Sequence, residues 1–401
     1  MISGVDLLKN IARPVRNHIR NKIAEFRIDT TTRNHAAIRI DEFNFADFRD
    51  DVLVFLRRMS SDNQRFAYRY SNSCTKSTLY ASAYACMTLS LLGELDKSSE
   101  DEKVEWGKYF DKFQRAEDGL FYDNAVHNSL YDDTDWWGAR HLALHMISAY
   151  TDLGIKPKYD FKFLRNYYPS GTIQKWLENF DWRASTIGAG DVDNKIMNIG
   201  CLLQFQRDTW GDGDAARTLD ELKIYLKGKI DPSTGIWGGF DLNNKDQQSR
   251  AIQFAYHLFP LFFYDGEFDF DVEKIVYTAL ATQNKYGGYG VKPNSSACED
   301  IDSIDILIRL HSFCSRALQE KIDESIRRAF SWVILNQVDD GGFVFRLNEP
   351  FHYGSRETSS EANAGAMLPT WFRTLSLAYM AGHLHQSHHF KITNCPGYEF
   401  Q

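Results

Sequence analysis

Apolar residues recur three and four positions apart along most of the chain, the spacing of one face of a helix. The pattern begins near residue 44, where Phe45, Phe48, Val52, Phe55 and Leu56 share a face. It predicts further helices over 75–93, 135–153, 195–207, 217–226, 248–263, 272–283, 303–314, 322–337 and 366–383, and another starting over 106–113. The 75–93 segment carries the small residues Ala81, Ser82, Ala83 and Ala85, which allow close helix packing, and Gly93 is placed to end it. Strand signals are few and short. The reading is all-α, with about eleven or twelve helices.

The connections between helices repeat. Gln114 leads to Asp118-Gly119-Leu120-Phe121, and Lys229 to Gly235-Ile236-Trp237-Gly238-Gly239-Phe240. Gln283 leads to Tyr286-Gly287-Gly288-Tyr289, and Gln337 to Asp339-Asp340-Gly341-Gly342-Phe343. Thr186-Ile187-Gly188-Ala189-Gly190 reads as a degenerate copy. The last three full copies lie roughly 50 residues apart, a period that signals a repeat array. That length holds one outer and one inner helix. Five or six such hairpins closed in a ring make an (α/α)5–6 toroid with an axial cavity. The expected layout is a basic arm over 1–43, the toroid over 44–390 and a tail over 391–401.

Composition narrows the function. A net charge of −8 argues against nucleic-acid binding. Aromatic residues make up 14% of the chain, enough to line a large pocket as well as a core. Six scattered cysteines without a Cys-x-x-Cys pair predict reduced thiols and a cytoplasmic protein. No apolar run approaches the roughly 20 residues of a bilayer span. Residues 1–9 lack the long apolar stretch of a signal peptide. Residues 7–23 carry Lys9, Arg13, Arg16, Arg20 and Lys22 beside an apolar stripe, so peripheral membrane contact is one expectation and packing on the chain's own domain another.

The most concentrated chemistry is Ser296-Ala297-Cys298-Glu299-Asp300-Ile301-Asp302-Ser303-Ile304-Asp305. Glu299, Asp302 and Asp305 share a helical face, so like charges there favour one carboxyl holding its proton. Ser296 and Glu299 also fit a capping box, which accounts for Glu299 and Asp300 without catalysis.

The Gln…Gly-Gly-aromatic turns, over roughly 75–385, resemble the repeats of squalene and hopene cyclases, class II diterpene cyclases and protein prenyltransferase β subunits. The resemblance implies an α/α toroid. In class II cyclases an Asp-x-Asp-Asp motif protonates an alkene or epoxide. Asp300-Ile301-Asp302-Ser303 is similar, with serine for the last acid. The resemblance thus implies a class II-like isoprenoid cyclase with Asp302 as acid and Glu299, Asp300 and Asp305 as its tuners. Trp136, Trp137, Trp237, Tyr289, Phe343 and Trp371 would bind the apolar substrate and steady its cations. Magnesium would enter only with a diphosphate substrate. Ser296 stands where prenyltransferases have the aspartate of Asp-x-Cys, and Cys-His and Cys-Gly-Glu-Gln are missing, so no zinc or other metal is expected.

A second cluster, Asp132-Asp133-Thr134-Asp135-Trp136-Trp137-Gly138-Ala139-Arg140-His141, misses the class I Asp-Asp-x-x-Asp pattern at Trp136. It supports a rival reading. Asp133, Asp135, His141 and Arg356 would suit a carbohydrate-active toroid (lyase, hydrolase or epimerase) handling an acidic sugar. A toroid that only binds a lipid or a partner is the third reading. The His-rich stretch 382–389 resembles a metal clip but reads as an idle surface tail.

Overall fold

The computed structural model describes residues 22–23, 25–26, 28–30, 38–126, 138–182 and 192–398. Among the described residues, twelve helices form six outer–inner pairs. The outer members are α1 (Phe45–Met59), α3 (Glu100–Asp111), α5 (Thr172–Glu178), α7 (Gly213–Lys227), α9 (Val272–Leu280) and α11 (Arg316–Leu335). The inner members are α2 (Leu79–Leu91), α4 (Ala139–Leu153), α6 (Val192–Trp210), α8 (Lys245–Leu258), α10 (Ala297–Leu310) and α12 (Met367–His383). A one-turn helix, Pro260–Phe263, follows α8.

Each inner helix packs on the next, α2 on α4, then α6, α8, α10 and α12, and α12 returns to α2. The ring is therefore closed, and the fold is the (α/α)6 form of the expected toroid. Sequence dictates the two layers. Every residue of α2 but Leu89 is buried, as is 367–381 of α12, because an inner helix has neighbours on every side. Outer helix α11 instead buries one stripe, including Leu318, Ile322, Ile326, Ala329, Phe330 and Val333, and leaves its charges in water. Caps set the starts. Asn44, Thr78, Ser99, Asp212, Asn244, Asp271 and Ser296 each accept a backbone N–H of the first turn. The Ser296–Glu299 capping box is present, so α10 starts six residues before the expected 303. Helix α5 was not foreseen.

The repeated turns stitch one outer helix to the next. Gln114 Nε2 donates to Gly119 O at 2.9 Å and to Tyr159 O, ahead of α5, at 2.8 Å. Gln283 Nε2 donates to Gly287 O at 2.8 Å and to Ser325 O of α11 at 2.9 Å. Gln337 Nε2 donates to Gly341 O at 3.2 Å. Gly119, Gly287 and Gly341 have φ of +82°, +103° and +89°, and a Cβ on each would press into the carbonyl of Asp160, Arg328 and Asp51 respectively. Asp51 belongs to α1, so the Gly341 turn is where the last hairpin locks onto the first. Gly341→Ala should cost about 2–3 kcal/mol in denaturant unfolding, through the positive φ and the collision together. Gly154→Ala, at φ +67° with open space around it, should cost less, about 1–2 kcal/mol.

The turn aromatics fill gaps between layers. Trp237 donates to Leu226 O at 2.8 Å and packs on Phe259, Phe262 and Phe270. Tyr289 Oη meets Ser325 Oγ at 2.7 Å, and Phe343 packs on Phe48 of α1. All three are fully buried in the wall. The expectation that Trp237, Tyr289 and Phe343 bind substrate is corrected: their rings point between layers because the preceding glycine turns sit on the outer helices.

Two short ribbons complete the fold, β1 (Tyr68–Arg69) with β2 (Ser77–Thr78), and β3 (Phe351–Tyr353) with β4 (Ser355–Ser360). Glu357 of β4 accepts the N–H groups of Thr75 and Lys76 at 2.9 Å each, which holds the second ribbon over the start of α2. Segment 391–398, set apart as a tail by sequence, threads among the inner helices. Lys391 N bonds Leu91 O at the end of α2, and Cys395 Sγ lies 3.5 Å from Ser148 Oγ of α4. Gly397 lies against Leu144, Cys201 and Met197, and the Tyr398 ring packs on His145, Trp371 and Phe372. The tail rises through the axis from the C-terminal ends of the inner helices and floors the bore.

Candidate active site in the toroid bore

The four carboxylates of α10 separate into two kinds. Asp300 is fully engaged. Its Oδ1 accepts from Tyr289 N at 2.9 Å, and its Oδ2 accepts from Trp332 Nε1 and Arg373 Nη1, each at 2.9 Å. Arg373, itself buried, also donates to Val344 O and Phe345 O. Burial pushes the Asp300 carboxyl up and the Arg373 guanidinium down, each opposed by the charge of the other. Glu299 Oε2 accepts from Ser296 N and Oγ at 2.8 Å and from Arg346 Nη2 at 2.6 Å. Asp305 pairs with Arg309 at 2.6 Å. These three acids hold the frame of α10.

Asp302 differs. Its side chain is buried, and no described residue offers it a hydrogen bond or an ion pair. Burial pushes its pKa well above the ordinary range, the charge of Glu299 adds to that, Asp193 and Asp300 contribute in the same direction, and Arg250 opposes them. All but the Arg250 charge favour the protonated form of this carboxyl.

Asp193 of α6 is its opposite. It is fully buried, and Arg250 of α8 grips it with two bonds, Nη1 to Oδ2 at 2.8 Å and Nη2 to Oδ1 at 2.9 Å. His257, two turns further along α8, places Nδ1 at 2.9 Å from Oδ2. Burial alone would raise Asp193. The bond and charge of His257 and the charge of Arg250 outweigh it and hold the pKa at about 2. Asp193 and Arg250 both act on Asp302 through their charges, so the three groups share one electrostatic neighbourhood.

The opposite wall is aromatic and imidazole. His141 of α4 lies between two phenols, with Nδ1 3.0 Å from Tyr80 Oη and Nε2 3.2 Å from Tyr353 Oη, and with Nε2 3.4 Å from His145 Nε2. Burial lowers the His141 pKa to about 3, aided by the charge of His257, and burial with the charge of His141 pushes His145 well down, which favours neutral rings at physiological pH. Tyr84 stacks on Trp371 at 5.3 Å, and Tyr398 stacks on His145 at 5.7 Å. Every inner helix thus contributes a polar or aromatic side chain to the interior of the ring.

Of the expected site residues, His141 and Trp371 join one buried cluster through His145, and Asp302 bears on that cluster through its charge on Tyr398. Arg356 is exposed near the start of β4, whereas Thr358, two residues on along the same strand face, is buried. Asp133, Asp135, Trp136 and Trp137 lie outside the described residues. Sequence reasoning missed Asp193, Arg250, His257, Tyr80 and Tyr398. Arg250 and His257 stand seven apart on one face of α8, a spacing that could have flagged them.

No protein-family model matches the chain, and no curated protein matches it. Among solved structures, it is similar to a family 76 α-mannanase of Bacteroides thetaiotaomicron (TM-score 0.45, 11% identity, 87% of this chain and 96% of that one). It is similar to an unsaturated glucuronyl hydrolase of Bacillus sp. GL1 (TM-score 0.47, 13% identity, 89% and 99%). It is also similar to the ent-copalyl diphosphate synthase of Streptomyces platensis (TM-score 0.42, 14% identity, 76% of this chain and 50% of that one). These are likenesses of shape at low identity. Mannanases and glucuronyl hydrolases recur among the matches, and the diterpene cyclase stands beside them. The isoprenoid cyclase expected from sequence is corrected to this extent: most of these matches are glycoside hydrolases, and their likeness, one of shape, does not favour it. The Asp193–Arg250 ion pair acts on Asp302 through its charges, and two histidines are buried inside the same ring, whereas an apolar aromatic chamber was expected, and three of the aromatics assigned to it are wall residues.

Proposed function

We propose that the chain is a carbohydrate-active enzyme that cleaves a glycosidic bond in the toroid bore. The observation that carries this reading is the contrast between two buried carboxyls, Asp302 without a described hydrogen-bond partner and pushed up by burial, and Asp193 held down in the grip of Arg250 and His257. Pairs of acids whose surroundings push their pKa values apart suit acid–base chemistry on one substrate. Asp302 gives its proton to the glycosidic oxygen as the bond to the anomeric carbon breaks. His257, whose Nδ1 is held by Asp193, takes the proton of the attacking water at Nε2. Tyr80, Tyr353 and His141 offer hydrogen bonds to sugar hydroxyls, and Trp371 and Tyr398 offer ring faces.

The test is a panel of neutral and uronic-acid oligosaccharides, including mannan fragments and unsaturated glucuronyl disaccharides, with release of new reducing ends followed by mass spectrometry. Cleavage of one class, lost in Asp302→Asn, is the expected result. An unmodified panel with folded protein contradicts the reading.

A further inference from the structure

At the end of the toroid where the inner helices finish, three side chains from separate elements converge. His311 follows the last residue of α10, Asp323 lies on outer helix α11, and His383 is the last residue of α12. Asp323 Oδ1 is 2.7 Å from His383 Nε2 and 3.1 Å from His311 Nε2. The two imidazoles stand nearly perpendicular, at 78° with centroids 4.6 Å apart, and both Nε2 atoms lie beside Asp323 Oδ1. The His311 Nε2 is shielded from water yet makes no hydrogen bond, because its approach to Asp323 is off-line. All three ligand atoms lie within 4.8 Å of one another.

We propose that His311, Asp323 and His383 form a binding site for a divalent transition-metal ion of the zinc type. Two imidazole nitrogens and one carboxylate oxygen are the ligand set of zinc sites that keep a fourth position for water. In a tetrahedral zinc site with bonds of about 2.0–2.2 Å, neighbouring ligand atoms lie roughly 3.3 Å apart. The observed 2.7 and 3.1 Å need only a few tenths of an ångström of spreading. Two nitrogen ligands favour zinc, cobalt or nickel over magnesium or calcium, which take oxygen. The ion would also sit at the negative ends of α10 and α12, where a cation is favoured. The site is distinct from the bore. Nine residues of helical rise, about 14 Å, separate His311 from Asp302 along α10. The ion would clip two inner helices to an outer one. It takes from the His-rich stretch 382–389 only His383, while the other two ligands lie far upstream, which hid the set from sequence.

The test uses the full chain, stripped with chelator and titrated with Zn²⁺ and Co²⁺. One tight equivalent per chain is expected, with the intense visible absorption of tetrahedral cobalt. His383→Ala and Asp323→Asn should each weaken binding by at least about 100-fold. Asp323→Asn keeps the shape of the side chain and guards against a variant that simply unfolds. His388→Ala/His389→Ala, in the same His-rich stretch but outside the three-ligand set, should leave the tight site intact. The proposal is overturned if the wild type takes up no tight equivalent, if the cobalt spectrum is that of a six-coordinate ion, or if the tail variant loses binding while Asp323→Asn keeps it.

Discussion

Asp302→Asn should lower sugar cleavage by about 100- to 10,000-fold, the usual share of a positioned general acid. It should also make the protein more stable at neutral and alkaline pH. In the native state burial and the Glu299 charge raise the Asp302 pKa, whereas an unfolded chain loses this proton near pH 4. Between those two values the native state holds a proton that the unfolded state has released. Stability contributed by the protonated group is therefore complete below about pH 4 and is lost as pH rises through the native pKa. Asparagine does not titrate and keeps the shape. The variant should match wild type near pH 4 and exceed it by about 1–3 kcal/mol at pH 8, read from urea midpoints. An inactive variant without this pH-dependent gain would mean that Asp302 is ionised in the fold.

Asp300→Ala should do the reverse, although it lies two positions away on the same helix. Removing that carboxyl strands the buried Arg373 guanidinium, the Trp332 indole N–H and the Tyr289 backbone N–H. Breaking a buried pair by deleting one partner costs about 3–5 kcal/mol. The variant should unfold at much lower urea and lose activity only in proportion to lost fold. A double replacement of Asp300 and Arg373 by apolar residues should recover part of the loss, since no lone charge is then buried. If Asp300→Ala were stable and inactive, the frame role would fall to a catalytic one. The contrast between two neighbours separates chemistry from architecture on one turn of α10.

That contrast also marks how far sequence reaches. The ring was legible, because Gln114, Gln283 and Gln337 with their glycines form a pattern that only a recurring helix-to-helix stitch explains. Asp302 was legible because capping accounts for Glu299 and Asp300 but not for an acid deeper in the helix. The charges that act on Asp302 were not legible. Asp193 and Arg250 are 57 residues apart and meet only because α6 and α8 are neighbours in the closed ring. Asp300 looked like a tuner because Arg373 lies 73 positions away in sequence. Trp237, Tyr289 and Phe343 misled for a geometric reason: a glycine turn says that an aromatic follows, not which side of the wall it faces. Tyr398 was hidden by its position near the end of the chain, where apolar residues carry no helical period.

The most direct test is the protonation state of Asp302. Infrared difference spectra between wild type and Asp302→Asn, recorded from acid to alkaline pH, isolate that one carboxyl. A carboxylic-acid C=O band that persists at neutral pH and vanishes in the variant is the predicted result. A carboxylate band already present at pH 5 would contradict it, and with it the assignment of the bore as an acid-driven active site.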